Sequence, residues 1–389
     1  MLPKNLLYLL TALMLVLWAG QPVQAQSDAG KTPKKEACDG LWPVKQGKKW
    51  GYIDKTGRVI IPFKFSAAED FSEGLAAAAG KNGDYGYIDK TGKFVIPPSF
   101  HWGRPFSDGL AVAEIRRYDR NGKITFSKFG YIDRSGKMVI QVQGVAKEKW
   151  LSNFSEELAC FMREDKSGDM KIGYIDKTGR EVIPPQYEDA FPFREGLAAV
   201  TVAGKFGYID KSGKMVIPPQ FKTVGPFCEG LAYADTGGKQ GYIDKSGKMA
   251  ITGEEFVDAR GFSEGLAAAV GKNEKYGFID KTGKFAIPPQ FDRVGDFHEG
   301  LAAVMPVKDA PWPGNLAYIN QKGEMVIKSM SNFPNSPMKA EFDLHNYRFC
   351  GGVARVSLGQ KEDEDAVGYI NQEGKLISPE VMPIKKSGR

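Results

Sequence analysis

The chain has 389 residues, 42% apolar and 26% charged, with 46 glycines and 23 prolines. Its apolar fraction is too high for an intrinsically disordered chain, and the absence of a glycine period of three excludes collagen. The 53 basic and 47 acidic residues leave a formal net charge of +6. That balance is too even for a dedicated nucleic-acid binder, which concentrates basic residues on one face.

The first 25 residues read as a secretory signal peptide. Lys4 gives a basic start, Leu6 to Trp18 is mostly apolar, and Val23 and Ala25 precede a cleavage point after Ala25. The apolar run is shorter than the roughly 20 residues needed to cross a membrane's hydrocarbon core. We therefore expect an exported chain, periplasmic or extracellular, with no transmembrane segment after cleavage. Residues 26–37 are polar and unpatterned, a flexible linker. Residues 381–389 are a basic tail.

From 38 to 380 one unit recurs nine times. A Gly-aromatic-Ile-Asp/Asn phrase starts at Gly51, Gly86, Gly130, Gly173, Gly207, Gly241, Gly277 and Gly368, with a variant at Ala317. An acidic-Gly-Leu-Ala phrase places its glycine at Gly74, Gly109, Gly196, Gly230, Gly265 and Gly300, with degenerate forms at Gly40, Glu157 and Gly352. From the first phrase to the second the interval is 23 residues in five units, as from Gly51 to Gly74. The other interval varies from 11 residues (Gly40 to Gly51) to 21 (Gly109 to Gly130). One part of the unit is rigid, and the other is a tip that accepts insertions, as exposed loop ends do. If units stack in register, the tips share one edge.

Within a unit the pattern is β. Phe206 to Asp210 and Lys214 to Ile217 are short aromatic and β-branched runs divided by a turn, Asp-Lys-Ser-Gly. Ile-Pro-Pro should stop the second strand, because proline cannot donate to a ladder, and Leu231 to Ala234 opens a third. No long 3.6-residue apolar period occurs, so helix should be minor. A single unit buries too few large side chains to offset the entropy of ordering it, so units must pack on one another. The expected fold is all-β, a tandem array of three-stranded meanders, elongated and solenoid-like. A closed β-propeller-like ring is the alternative, disfavoured because propellers usually have four to eight four-stranded blades.

Trp50-Gly51-Tyr52-Ile53-Asp54-Lys55-Thr56-Gly57 resembles the bacterial WG (KWG) repeat, and the likeness extends over about residues 38–380. It implies a repetitive β protein, often exported, that serves as an interaction scaffold. Only unit 1 keeps the tryptophan; Tyr85, Phe129, Phe206 and Tyr276 take its place in four others.

Candidates for chemistry are few. The repeated Asp54, Asp89, Asp133, Asp176, Asp210, Asp244 and Asp280 read as turn residues, since Asn320 and Asn371 fill the same slot. Calcium needs about six to eight oxygens on one ion, and each turn offers one carboxylate. A second acidic row, Glu73, Asp108, Glu157, Glu195, Glu229, Glu264 and Glu299, precedes or occupies the turn glycine and could pair with neighbouring lysines. Asp235-Thr236-Gly237 matches the core of an aspartic protease motif without the second copy that chemistry requires. His101, His298 and His345 lack metal-ligand spacing, and Glu362 to Asp365 reads as a solvated loop. We expect no catalytic residue, no cofactor, no metal and no nucleic-acid partner.

Binding residues are sought at the variable tips. Arg116, Arg117 and Tyr118 lie in the longest, and Trp312 lies between two prolines in another. Arg, Tyr and Trp dominate interface energies. The partner expected is an unidentified protein or envelope polymer. The alternative readings are an envelope structural spacer and a hydrolase with dispersed carboxylates. Four cysteines in an exported chain favour disulfides, with three pairings open among Cys38, Cys160, Cys228 and Cys350. Cys38, Cys228 and Cys350 all stand two residues before the turn glycine or its equivalent. A Cys38–Cys350 bond would join the first unit to the last and require the array to close.

Overall fold

The computed structural model describes residues 39–142, 151–306, 316–327, 347–357 and 367–377. The leader, linker and tail, together with Cys38, Trp312, His345 and the acidic run at 362–365, lie outside these. The described residues form nine successive antiparallel units, numbered here 1 to 9 by the acidic-Gly-Leu turn that opens each.

Unit 2 shows the plan. Ala76–Ala79 pairs with Tyr85–Ile88, which pairs with Phe94–Phe100, and the two-residue strand Ala67–Ala68 lies on the far side of Ala76–Ala79. The Leu-Ala strand thus pairs across the variable tip with the Gly-aromatic-Ile strand that follows it. Units 7 and 8 are fused into one seven-stranded sheet through Phe285–Val294.

The prolines do not end the third strand. Met215–Phe221 runs through Pro218 and Pro219, and Phe94–Phe100 through Pro97 and Pro98. In these units it is the outer strand of its sheet, and its register jumps: Phe206 pairs with Phe221, but Tyr208 pairs with Ile217. The prolines sit in that bulge on an edge strand, where no ladder donor is lost. Facing the bulge is the repeat glycine. A Cβ on Gly207 would stand 2.5 Å from the Ile217 carbonyl oxygen and 2.8 Å from Pro219 N. Close approach of two backbones, with no help from an unusual φ, is what demands glycine there.

The core lies between units. The tyrosine of each Gly-Tyr-Ile phrase is fully buried, and in units 1 to 6, as for Tyr318 of unit 8, its ring meets a phenylalanine of the next unit. Centroids are 4.9 Å apart for Tyr52–Phe71, 4.8 Å for Tyr87–Phe106 and 4.9 Å for Tyr208–Phe227. Each of these hydroxyls donates to a backbone carbonyl of that next unit: Tyr52 to Glu69, Tyr87 to Arg104, Tyr208 to Gly225. Unit 7 has Phe278 in this place and keeps only the ring contact, with Phe297 at 4.7 Å.

Unit 9 then packs on unit 1. Tyr369 donates its hydroxyl to the Pro43 carbonyl at 2.8 Å and its ring stands 6.5 Å from Trp42. Trp42, Val44 and Ile53 form one buried cluster with Val353, Tyr369 and Ile377. Of the two arrangements expected for the meanders, these contacts describe the closed ring. Its nine thin units, several with a first strand of only two residues, exceed the usual blade number, and the count that argued for an open array is overridden by this seam.

Candidate functional site

Two rims bound the ring. On one, the acidic turn of each of units 2 to 8 is a two-residue loop closed by a bridge such as Ser72 to Leu75. Its two central residues both have positive φ, 53° at Glu73 and 80° at Gly74, as a type I′ hairpin loop needs. The carboxylate of each turn accepts a backbone N–H from the next unit's turn. The pairs are Asp39–Gly74, Glu73–Gly109, Asp108–Glu157, Glu156–Gly196, Glu195–Gly230, Glu229–Gly265, Glu264–Gly300 and Glu299–Gly352, at 2.8 to 3.1 Å. Lysines of the following unit reinforce several rungs, as Lys245 does with Glu195 at 3.2 Å and Lys281 with Glu229 at 3.0 Å. In unit 4 it is Glu156 that takes the rung position, while Glu157 stands where other turns have glycine. The acidic row is therefore a connector between units.

The aspartates of the other repeated turn are likewise engaged. Asp54 Oδ1 accepts from the Thr56 hydroxyl at 2.6 Å, from Thr56 N at 2.9 Å and from Arg58 N at 3.2 Å. The Thr56 hydroxyl above all, with the two backbone donors, lowers the Asp54 pKa below its ordinary value. The same arrangement recurs at Asp89, Asp133, Asp176, Asp210, Asp244 and Asp280. Asp235 accepts from Gly237 N at 2.7 Å, so Asp-Thr-Gly here is a tip turn. Among the described residues no group of three or more His, Cys, Asp or Glu is placed to hold a metal ion.

The variable tips occupy the opposite rim, and among the described residues the tip of unit 3 has the longest paired strands. Ala111–Tyr118 and Ile124–Ile132 form an arm in which Ile124 pairs with Tyr118 and Phe126 with Arg117. Tyr118 (48%), Ile124 (44%) and Phe126 (43%) are exposed large apolar side chains, and among the described residues the others of that class are valines. Of the three arm residues expected to bind, Arg117 and Tyr118 are on this exposed surface, with the Arg117 guanidinium 5.3 Å from the Phe126 ring centre.

Arg116 has a different job. It is ion-paired with the buried Glu114 and lies 3.1 Å from His101 Nε2, while the Tyr118 hydroxyl is 3.3 Å from His101 Nδ1. Ser127 also donates to Glu114, at 3.0 Å. Arg116 braces the base of the arm. The sequence reading missed Glu114, Ile124 and Phe126 and weighed His101 only as a metal ligand; the cue was a carboxylate following three apolar residues in a strand that opens Ala111-Val-Ala113.

The cysteines divide. Cys160 and Cys228 are free, buried thiols, so neither is a disulfide half. They lie in units 4 and 6, which do not adjoin. Burial pushes Cys160 up to about 12 and raises Cys228, an effect that the Arg194 guanidinium, 2.9 Å from its sulfur, opposes. Cys350 is disulfide-bonded. Near the seam a cavity of about 210 Å³ is lined by Pro43, Trp50, Ala67, Ala68, Glu69, Asp70 and Arg355, so the one repeat tryptophan that survives stands close to the closure.

Together these features define an all-β tandem-repeat ring with one conserved-geometry rim and one variable rim. The WG containing repeat matches at residues 50–83, 85–116, 129–143, 172–206, 206–239, 241–276 and 276–305. These matches span more than half of the chain, and the chain belongs to that family. The structure adds two units beyond them, around Ala317–Asn320 and Val367–Asn371. The chain is similar to the WD40 β-propeller domain of Doa1, at 12% identity over 62% of this chain and 93% of that one, with a TM-score of 0.28. It is also similar to the computationally designed Ika4 protein, at 13% identity over 45% and 87%, with a TM-score of 0.21. Likeness at that level carries no weight for the ring, which rests on the seam contacts. No curated protein matches the chain.

Proposed function

We propose that the chain is an exported, non-enzymatic scaffold that holds a protein or cell-envelope polymer against the arm of unit 3. The observation that carries this reading is the group of exposed Tyr118, Ile124 and Phe126 on one projecting hairpin. Residues 113–128 hold five basic side chains and two acidic ones, which favours an anionic partner. Export is supported by the leader-like start and by the disulfide at Cys350, since disulfides persist in oxidising compartments. The spacer reading loses ground, because a ring gains no length from its repeats. The hydrolase reading loses ground too, because the two repeated carboxylate rows are engaged in turns and rungs.

The test is capture from an envelope fraction by the wild-type chain and by a variant with Arg117–Phe126 replaced by a two-residue Asn-Gly loop, which joins the paired Arg116 and Ser127. We expect the partner to be lost with the arm while the melting temperature stays unchanged. A Y118S/I124S/F126S variant should give the same loss. Equal capture by all three chains would remove the arm from the function.

A further inference from the structure

We infer that the cavity beside the seam is a binding site for a small organic cation, whose guanidinium or ammonium group lies on the Trp50 ring with Glu69 and Asp70 as its counter-charges. The site is separate from the arm of unit 3 and does not depend on it. The cavity, about 210 Å³, draws its lining from three units: Pro43 and Trp50 from unit 1, the Ala67–Ala68 strand with Glu69 and Asp70 from unit 2, and Arg355 from unit 9. Its apolar wall is buried or half-buried, whereas the three charged side chains are exposed. The volume exceeds the roughly 150 Å³ that holds one benzene ring, so it admits a cationic head group and part of an alkyl chain.

The fold already builds this contact internally. In unit 7 the Arg260 guanidinium stands 5.6 Å from the Tyr276 ring centre and 4.0 Å from Asp296 of unit 8. Tyr276 and Trp50 hold the same slot, each directly before the repeat glycine. Asp296 and Asp70 also hold one slot, each four residues before the turn glycine. Units 1 and 2 thus repeat the ring and the acid, with tryptophan, the best cation–π acceptor, as the ring. Glu69 adds a second carboxylate, so two acids face one Arg355 and the lining is net negative. Among the described residues no ring or cation covers Trp50. Room is made by small neighbours: Ala67-Ala68 stand where unit 3 has Trp102-Gly103 and unit 6 has Thr223-Val224.

The lining is fixed in place by buried tyrosines. Tyr52 donates its hydroxyl to the Glu69 carbonyl and Tyr369 to the Pro43 carbonyl, each at 2.8 Å, so binding has little backbone to order. Burial first and then Asp70 raise the pKa of the Tyr369 hydroxyl, and Arg355 opposes them; charges from units 2 and 9 therefore act on one group at the seam. Because the lining spans units 9, 1 and 2, an occupant favours the closed ring by mass action. Calcium takes about six to eight oxygens, and two carboxylates beside an indole suit an organic cation instead.

The probe is L-arginine, with L-citrulline, its uncharged counterpart of nearly the same shape, as the control. In the full chain, isotope-labelled at its tryptophans, arginine should move the Trp50 indole signal, identified by its loss in W50F. The dissociation constant should be on the order of 1 mM, as a small, partly exposed ligand gives. Citrulline should bind about tenfold more weakly or worse, since it keeps the shape and loses the charge. E69Q/D70N exchanges two exposed carboxylates for amides of the same shape; it should keep the melting temperature and weaken arginine about tenfold. Equal binding of arginine and citrulline, a Trp50 signal that arginine leaves in place, or wild-type affinity in E69Q/D70N would each overturn the inference.

Discussion

At the joint between units 5 and 6, Tyr208 meets Phe227 at 4.9 Å, donates to the Gly225 carbonyl, and sits above a rung in which Glu195 binds Gly230 N and Lys245. At the seam between units 9 and 1, Tyr369 meets Trp42 at 6.5 Å and donates to Pro43, and Gly351 replaces the rung acid. The phenylalanine slot, three residues before the turn glycine, is Ala37 in unit 1. Both joints bury a tyrosine and satisfy its hydroxyl, but with different parts. A repeat joint can be copied because the chain delivers the next unit at high effective concentration. The seam must recruit a partner from the far end of the sequence, and it carries Trp42 where other units have alanine and Gly351 where they have an acid.

The largest test of this contrast is truncation of one aromatic in each joint. Trp42→Ala and Phe227→Ala should each cost about 3–5 kcal/mol by denaturant melting, as buried aromatics do. Under reducing conditions only Trp42→Ala should also increase the radius of gyration in X-ray scattering, because only the seam lacks a peptide connection. An unchanged radius would mean that closure does not depend on the cluster around Trp42.

Gly207→Ala attacks an ordinary unit from within. Its Cβ would meet the Ile217 carbonyl oxygen, and we expect a loss of about 1–3 kcal/mol from overpacking, read as a lower denaturant midpoint. Glu195→Gly makes an ordinary joint resemble the rungless seam. The carboxylate is partly exposed, so the loss should be about 1 kcal/mol, again from the midpoint.

Acid should act on all the aspartate turns together, with a smaller effect at any one. Each folded pKa lies below the ordinary 3.8, chiefly through the Thr or Ser hydroxyl. The stabilisation is therefore complete above that value and is withdrawn as pH falls from about 4 toward the lowered values. Melting temperature measured from pH 5 down to pH 2 should decline through this window, and Asp210→Asn should flatten the decline slightly. The smallest effect is a gain. Glu157 has φ of 75° where other turns have glycine, so Glu157→Gly should stabilise unit 4 by up to about 1 kcal/mol.

Much of this was legible in the sequence. Periodicity located all nine units, and the invariant interval against the variable one separated the packed part from the tips. The tyrosine of Gly-Tyr-Ile was visible as apolar pattern, though its hydroxyl bond to the next unit was not, since that partner is a backbone carbonyl. The prolines misled because strand position, edge or centre, decides whether a missing N–H matters. Closure stood in the sequence only as the alternative arrangement, because the contacts that make it, such as Tyr369 to Pro43, join residues more than three hundred apart. Arg116 looked like a contact residue until the structure put Glu114 and His101 beside it.

Closure also constrains how such a protein can change over time. An open array grows by duplicating one copy at a cost felt only locally. Here an extra copy would alter the angle demanded of every junction at once, so the number of repeats is inherited as a unit. Lengthening a hairpin on the variable rim makes no such demand, and that rim is where descendants of this sequence are free to diverge.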